Sequence, residues 1–235
     1  MSAAFVVVVG LLVLTNLLNH VWLPKAYLVT CPMVAVVLVV VGRAAGLSWT
    51  ELGMGRSSLL KGVLWAVGAT ALVALGYTVA LALPFARSAA GPPPGTREAM
   101  FVALVEVPFG TVLLEEVAFR GVLWGLVARD HGAWAATFAT AGLFGVWHVP
   151  AALADDGVSR PARLTGSRWG TTVWVLGTVL FTAAAGVVFG AVRRRSGSVF
   201  ATMGLHWATN GLGTLFRLVA AAHRPVRPAA APQGP

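Results

Sequence analysis

The chain has 235 residues, of which 57% are hydrophobic and only 11% are charged, and its formal net charge is +9. A soluble domain usually carries about 25% charged residues. This shortfall excludes intrinsic disorder and makes a lipid-facing surface the simplest explanation. The positive charge does not indicate nucleic acid, because the basic residues, Arg193, Arg194 and Arg195 among them, lie mainly between apolar runs. Such juxtamembrane cations favour anionic lipid headgroups.

The uncharged runs predict transmembrane helices. A helix needs roughly 20 mostly apolar residues to cross about 30 Å of hydrocarbon, and most stretches without Asp, Glu, Lys or Arg are long enough. We predict an all-α, polytopic transmembrane helix bundle of about seven spans, with eight as the alternative. The predicted spans are 3–23, 26–42, 60–84, 98–128, 133–153, 170–192 and 198–220.

Proline and glycine divide the chain into parts. The sequence G-P-P-P-G at 91–95 is a firm break, because proline lacks an N–H and clashes inside a helix. We expect N-terminal transmembrane helices and loops over 1–97, a helical core over 98–220 and a disordered Pro/Ala-rich tail over 221–235. Two glycine pairs have the spacing of close helix contacts, Gly121 with Gly125 and Gly186 with Gly190.

Three ionisable residues interrupt one apolar segment. Glu115, Glu116 and Arg120 lie between apolar flanks, where each charge near a span centre costs about 2.5–3.5 kcal/mol on insertion scales. Glu116 and Arg120 are i and i+4, so they can pair on one helix face. Glu115 is rotated by about 100° from Glu116, so a structural ion pair leaves its burial uncompensated. The pattern favours a functional site.

Two later spans each carry one deep histidine. Phe144 and His148 are i and i+4, and so are His206 and Asn210. A lone histidine on an apolar face is more often a satisfied core residue, but the combination with an unpaired glutamate supplies a base, proton carriers and an amide donor. This set suits amide hydrolysis, in which a carboxylate or imidazole activates water and His or Asn donors stabilise the oxyanion.

The three motifs resemble the signatures of a known family. Glu115-Glu116-x-x-x-Arg120, Phe144-x-x-x-His148 and His206-x-x-x-Asn210 look like those of the CPBP family. That family includes the Rce1-type CAAX prenyl protease 2 and the bacteriocin-processing, or Abi, intramembrane proteases. The order of the motifs matches, and the resemblance covers about 98–217. It implies an intramembrane endopeptidase whose catalytic core is the 98–220 unit.

The resemblance also implies a role for each matching residue. Glu115 would activate the attacking water with His148 assisting, and His206 and Asn210 would line the site and stabilise the oxyanion. The supporting residues would be Glu116, Arg120 and Phe144.

Metal use stays open at this point. Family members are commonly called metalloproteases, and Glu115, His148 and His206 can supply three zinc ligands with water as the fourth. The chain has no H-E-x-x-H motif, however, and Glu115 cannot easily be both the principal ligand and the free base. Zinc and a metal-free glutamate mechanism are therefore both retained.

Other catalytic and non-catalytic functions fit the sequence less well than hydrolysis. Asp130, Asp155 and Asp156 all fall in predicted loops, which argues against an aspartyl dyad, and no G-x-S-x-G elbow occurs. A non-catalytic bacteriocin-immunity or scaffold protein and a small proton-coupled transporter remain as alternatives. The resemblance implies a peptide or protein substrate, prenylated in the best-known case. The Ala, Val, Gly and Arg bias favours a GC-rich bacterium and hence its cell membrane.

Overall fold

The computed structural model describes residues 2–154 and 167–223. Within these residues every regular element is a helix, which confirms the all-α prediction. The predicted loop aspartates Asp155 and Asp156, and the predicted tail beyond residue 223, lie outside the described residues.

The N-terminal part contains three long helices. Helix α1 covers Ala3–Leu17 and continues as a π-helical segment, Leu18–Trp22. A single 3₁₀ turn, Pro24–Ala26, leads into α2 at Tyr27–Ala44, and α3 covers Arg56–Ala82. Pro24 can begin the turn because the first position of a helix needs no N–H donor.

The second part follows a short helix, α4, at Pro84–Ala89. One long helical segment then alternates between α-helical and π-helical turns. It consists of α5 (Thr96–Phe101), a π-helix (Val102–Val112), α6 (Leu113–Glu115), a second π-helix (Glu116–Val122) and α7 (Leu123–Trp147). The remaining helices are α8 (Val149–Ala154), α9 (Arg168–Ser196) and α10 (Val199–Ala222).

A single glycine separates two of the predicted spans. Gly132 lies inside α7 with φ 82° and ψ 168°, a backbone conformation that L side chains rarely adopt. The helix axis therefore breaks there, between the predicted spans 98–128 and 133–153. The predicted span 133–153 is corrected near its end. It is not one continuous helix, because α7 ends at Trp147 and α8 begins at Val149.

Four helical segments of the described chain are long and apolar enough to cross a membrane, namely Ala3–Trp22, Pro24–Ala44, Arg56–Ala82 and Arg168–Ser196. Glu115, His148 and His206 all lie outside these four segments. Large apolar side chains on the long helices are strongly exposed, including Leu60 at 72% and Phe181 at 75%. Such surfaces suit hydrocarbon rather than water. The protein is an integral, multi-pass membrane protein, and the count of about seven spans stays a prediction.

Close helix contacts involve the second glycine pair. Helix α9 packs along α7, and a Cβ at Gly186 would lie 2.9 Å from Cα of Ala141. A Cβ at Gly190 would lie 2.7 Å from Cγ2 of Thr137. The predicted contact at these two glycines is therefore present, because only a hydrogen leaves room for the α7 backbone.

The first glycine pair contacts a loop instead of a helix. A Cβ at Gly125 would lie 3.1 Å from the carbonyl oxygen of Glu51, and one at Gly121 would lie 3.6 Å from that of Leu52. The connection between α2 and α3 therefore packs directly on the helix that carries the two glutamates.

Arg193 anchors this loop and corrects one expectation. It is only 2% exposed, so it does not reach lipid headgroups as its position between predicted spans suggested, and its guanidinium lies 4.5 Å from the ring centroid of Trp124. Its Nε donates to the carbonyl oxygen of Arg120 at 2.9 Å, and a terminal nitrogen donates to that of Glu51 at 2.8 Å. Arg193 thus ties α9 to the loop and to the second π-helix.

The same loop carries an ion pair at the surface. Nε of Arg129 donates to Oε1 of Glu51 at 2.9 Å, and the backbone N–H and hydroxyl of Ser48 both donate to Oε2 at 2.7 Å. These hydrogen bonds, first the one from Arg129 and then those from Ser48, lower the pKa of Glu51 to about 2. The loop is therefore held at two points of Glu51: Arg193 binds its backbone carbonyl, and Arg129 binds its carboxylate.

Candidate active site

The two adjacent glutamates lie where the helix widens. Glu115 ends α6 and Glu116 begins the second π-helix, and both are buried, at 6% and 0% exposure. All 7 residues from Glu116 to Val122 are buried. Short π-helical stretches frequently occur at functional sites. Here the junction between α6 and the second π-helix places two carboxylates in the interior of a membrane protein.

Glu116 and Arg120 form the ion pair that their spacing predicts. A terminal nitrogen of Arg120 donates to Oε1 of Glu116 at 3.1 Å, and neither side chain is more than 1% exposed. The guanidinium also lies over two aromatic rings, 4.2 Å from the centroid of Phe144 and 4.8 Å from that of Phe189. These contacts compensate part of the cost of burying the cation.

His206 lies between the two carboxylates. Its Nδ1 is 2.8 Å from Oε1 of Glu116, and its Nε2 is 3.8 Å from Oε2 of Glu115. A carboxylate can only accept, so we assign a proton to Nδ1. The ring stacks on Phe189 with centroids 5.1 Å apart. Glu116 and Phe189 thereby orient Nε2 towards Glu115.

Glu115 is not part of the Glu116–Arg120 pair. Its Oε1 accepts a hydrogen bond from Nε1 of Trp147 at 2.9 Å. Its Oε2 is buried and has no hydrogen-bond partner among the described residues. A buried carboxylate oxygen without a donor is costly. Among the same residues Oε2 of Glu116 is likewise without a hydrogen-bond partner, but its carboxylate is paired with Arg120, so Oε2 of Glu115 is the unpartnered carboxylate oxygen that lies outside the ion pair and beside His206.

His148 lies at the break between α7 and α8, with φ −84° and ψ −3°. The break has a local cause: Pro150 has no N–H to donate to the carbonyl of Val146, and its ring would clash with that carbonyl in a continuous helix. Nδ1 of His148 is 2.7 Å from the carbonyl oxygen of Phe144, and the two rings meet edge to face at 4.6 Å. Because a carbonyl only accepts, Nδ1 is the protonated nitrogen.

Asn210 lies one turn after His206 on α10 and is exposed. Its Oδ1 accepts a weak hydrogen bond from Thr209 at 3.4 Å. Asn210, His206 and His148 all line one cavity, together with Phe144. The predicted common face of His206 and Asn210 is therefore present.

Two cavities border the site, and each of the two central residues lines a different one. The Glu115 cavity measures about 340 Å³, and its wall includes Glu115, Trp147, His148, Asn19 and Cys31. The His206 cavity measures about 510 Å³, and its wall includes His206, Asn210, His148, Phe144 and Phe189. His148 borders both. The residues converge, but they do not surround a single space.

Two contacts of the site were not predicted from the sequence. Trp147 holds Glu115 through its indole, and its carbonyl oxygen accepts a 2.8 Å hydrogen bond from Nδ2 of Asn16 on α1. Asn16 is 6% exposed. A polar residue inside the first apolar run was a signal that could have pointed to this contact, but its partner is 131 residues away.

The retained zinc option does not fit the arrangement of these side chains. Glu115, His148 and His206 have the right donor chemistry for zinc. Over residues 2–154 and 167–223, however, no group of three His, Cys, Asp or Glu is placed to hold a metal ion. Binding zinc at these residues would require side chains to move, and we derive no step through a metal.

The fold and the site together define a multi-pass membrane protein with a buried carboxylate–imidazole cluster. Residues 97–212 match the family model described as type II CAAX prenyl endopeptidase, Rce1-like. Over these residues the chain belongs to that family, which confirms the resemblance seen in the three motifs and implies an intramembrane protease. No curated protein and no solved structure gives a significant match.

Proposed function

We propose that this protein is an intramembrane endopeptidase in which Glu115 activates the attacking water. One observation carries the proposal. Oε2 of Glu115 is buried without a hydrogen-bond donor among the described residues and lies 3.8 Å from Nε2 of His206. A carboxylate oxygen in this position can accept a proton from water, and the neighbouring Nε2 of His206 can contact the substrate carbonyl.

The reaction begins at Glu115. Oε2 takes one proton from water, and the resulting hydroxide oxygen forms a bond to the carbonyl carbon of the scissile amide. The C–N bond then breaks, and the leaving nitrogen takes the proton from Glu115. Trp147 holds Oε1 through its 2.9 Å hydrogen bond, so Oε2 is the oxygen that acts.

His206 and Asn210 stabilise the oxyanion by hydrogen-bond donation. Nδ1–H of His206 is engaged by Glu116 at 2.8 Å, so Nε2 is the nitrogen available to the substrate. Donation from Nε2 requires that it also carries a proton, which makes His206 an imidazolium in this step. The amide nitrogen of Asn210 supplies a second donor, and His148 assists from the edge of both cavities.

Glu116, Arg120 and Phe144 support these groups. Arg120 neutralises Glu116 at 3.1 Å, and Phe144 covers the guanidinium and packs against His148. The substrate is a peptide or protein at the bilayer, with a prenylated CAAX carboxyl terminus as the first candidate, and the bacterial cell membrane is the proposed location.

Purified protein in proteoliposomes tests the proposal. Prenylated and unprenylated peptides are incubated with the wild type, Glu115→Gln and His206→Ala, and products are identified by mass spectrometry. We expect cleavage by the wild type and a loss of about 10²–10⁴-fold in kcat for Glu115→Gln. Glu98→Gln is the matched control, because Glu98 is an exposed acid whose capping role glutamine retains.

The alternative functions make different predictions for the same proteoliposomes. Cleavage that survives both site substitutions would remove Glu115 and His206 from the mechanism. Proton-coupled uptake without cleavage would indicate a transporter. A chelator series on the wild type addresses zinc, since a metal-free mechanism predicts that activity is unchanged by EDTA or 1,10-phenanthroline.

A further inference from the structure

The two cavities border different members of the same pair of residues. Glu115 lines the Glu115 cavity but not the His206 cavity, and His206 and Asn210 line only the His206 cavity. The wall between them is thin, because Oε2 of Glu115 and Nε2 of His206 are 3.8 Å apart. A peptide carbonyl has to contact His206 and Asn210, whereas the attacking water has to contact Glu115.

We propose that the two reactants arrive through separate cavities: water through the Glu115 cavity, and the peptide through the His206 cavity from the bilayer. This inference rests on the proposed function, since it assigns the base to one cavity and the oxyanion donors to the other. The reactants meet at the Glu115–His206 contact, with His148 bordering both spaces.

The lining of the Glu115 cavity suits water. Its polar members include Asn19, His20 and Thr111, and the N-terminal helices supply much of the wall. A cavity holds water when it is roomy and offers several polar partners. Its rim includes Pro24, in the turn that joins the first two apolar helices. Such a turn between two membrane spans lies at the aqueous surface, so this cavity has a short path to water.

The lining of the His206 cavity suits a peptide with apolar side chains. Phe144, Phe181, Phe189 and Leu205 provide apolar wall, and its volume of about 510 Å³ is in the range of ligand pockets. Phe181 is 75% exposed on the outer face of α9, so the rim of the cavity reaches the lipid-facing surface. Asn210 is also exposed at this cavity. The peptide can therefore enter laterally from the bilayer.

Narrowing each cavity separately tests the assignment. Ala151 lines only the Glu115 cavity and Ala185 lines only the His206 cavity. We expect Ala151→Trp to lower kcat with KM unchanged. We expect Ala185→Trp to raise KM about tenfold, which corresponds to about 1.4 kcal/mol of binding. Leu153→Trp on α8 and Ala184→Trp on α9 are matched controls at exposed positions and should change neither constant.

A second measurement does not depend on activity. Cys31 is the single cysteine of the chain, and it is 2% exposed. Because it lines the Glu115 cavity, that cavity is its route to a reagent in the part of the chain that the structure describes. The water-soluble 2-aminoethyl methanethiosulfonate forms a mixed disulfide with a thiolate and releases methanesulfinate. Intact mass spectrometry should show modification of the wild type, about tenfold slower modification of Ala151→Trp, and no protection in Ala185→Trp.

These outcomes distinguish a failure of the proposed function from a failure of the cavity assignment. A wild type that cleaves no peptide removes the proposed function, whereas modified Cys31 protected only by Ala151→Trp still supports water entry from this side. Cys31 that reacts as fast in Ala151→Trp as in the wild type overturns the inference. So does the reverse kinetic pattern, in which Ala151→Trp raises KM and Ala185→Trp lowers only kcat.

Discussion

The indole Nε1 of Trp147 donates a 2.9 Å hydrogen bond to Oε1 of Glu115, across 32 residues of sequence. The same residue accepts a 2.8 Å hydrogen bond at its carbonyl oxygen from Asn16 of α1. Asn16 lies outside residues 97–212, the part of the chain that matches the family. The N-terminal helices therefore take part in positioning the proposed base, although they carry none of the three motifs.

Replacing Trp147 tests this positioning role. Trp147→Phe keeps the aromatic contact but removes the donor to Glu115, and a hydrogen bond to a charged group is worth about 1.5–3 kcal/mol. We expect kcat to fall by about 10–100-fold with little change in KM. Trp207→Phe is the control, since the Trp207 indole donates to the carbonyl of Ala103, away from the glutamates. Equal losses in both variants would reduce Trp147 to a packing residue.

The adjacent glutamates should respond oppositely to neutralisation. Glu116→Gln leaves Arg120 buried without its counter-charge, so we expect a loss of about 3–5 kcal/mol of stability. Glu115→Gln removes a buried charge that has no permanently charged partner, and the glutamine oxygen can still accept the bond from Trp147, so the thermal midpoint in detergent should be unchanged or higher while activity is lost. Thermal unfolding and peptide cleavage are measured on both variants. A Glu115→Gln protein that is as unstable as Glu116→Gln would contradict this division.

Arg193 should matter for stability and not only for surface charge. Arg193→Ala removes the donors to the carbonyl oxygens of Arg120 and Glu51, and each buried carbonyl left unpaired costs about 1–3 kcal/mol. We expect a clearly lower thermal midpoint. Arg195→Ala, at an exposed position of the same helix, removes the same charge and should have little effect. Similar thermal midpoints for the two variants would mean that Arg193 contributes no more to stability than an exposed cation at the headgroups does.

Two glycines of α7 provide a matched test of helix packing. A Cβ at Gly145 would lie 2.7 Å from the carbonyl oxygen of Val179 and 3.0 Å from Cβ of Ala183, whereas a Cβ at Gly142 meets nothing within 4 Å. Gly145→Ala should cost about 1–3 kcal/mol through overpacking. Gly142→Ala should be neutral or stabilising by up to about 1 kcal/mol, because alanine favours the helix. Thermal unfolding of both variants measures the difference. A Gly145→Ala protein as stable as the wild type would mean that α7 and α9 are packed less tightly than these distances indicate.

The Glu51–Arg129 pair predicts a pH dependence of stability. The pKa of Glu51 is lowered from 4.5 to about 2, so the folded state binds its proton less readily than the unfolded state. The pair therefore contributes stability that is fully present above about pH 4.5 and is lost as the pH falls towards 2. Glu51→Gln should have a smaller decrease in thermal midpoint over this window than the wild type. Parallel curves for the two proteins would exclude Glu51 as a source of the dependence.

Local spacing predicted part of the site correctly. The i, i+4 relation of Glu116 and Arg120 appears as an ion pair, and that of His206 and Asn210 places both on one cavity. The same reasoning was wrong about an uninterrupted helix through His148, where Pro150 ends the hydrogen-bonding ladder. It also misplaced Arg193, because no pattern along α9 reveals that the Leu52–Gly53 turn packs over its guanidinium.

Sequence alone determined that this chain forms apolar helices in a membrane, because the cost of exposing charge to lipid selects long uncharged runs and makes each exception conspicuous. The tertiary structure decided which exceptions meet. His206 reaches Glu116 across 90 residues of sequence, and Trp147 reaches Glu115 across 32. Such contacts depend on how α10 and α7 pack against the π-helical segment. Helical periodicity predicts the face on which a side chain lies but not the helix that covers it.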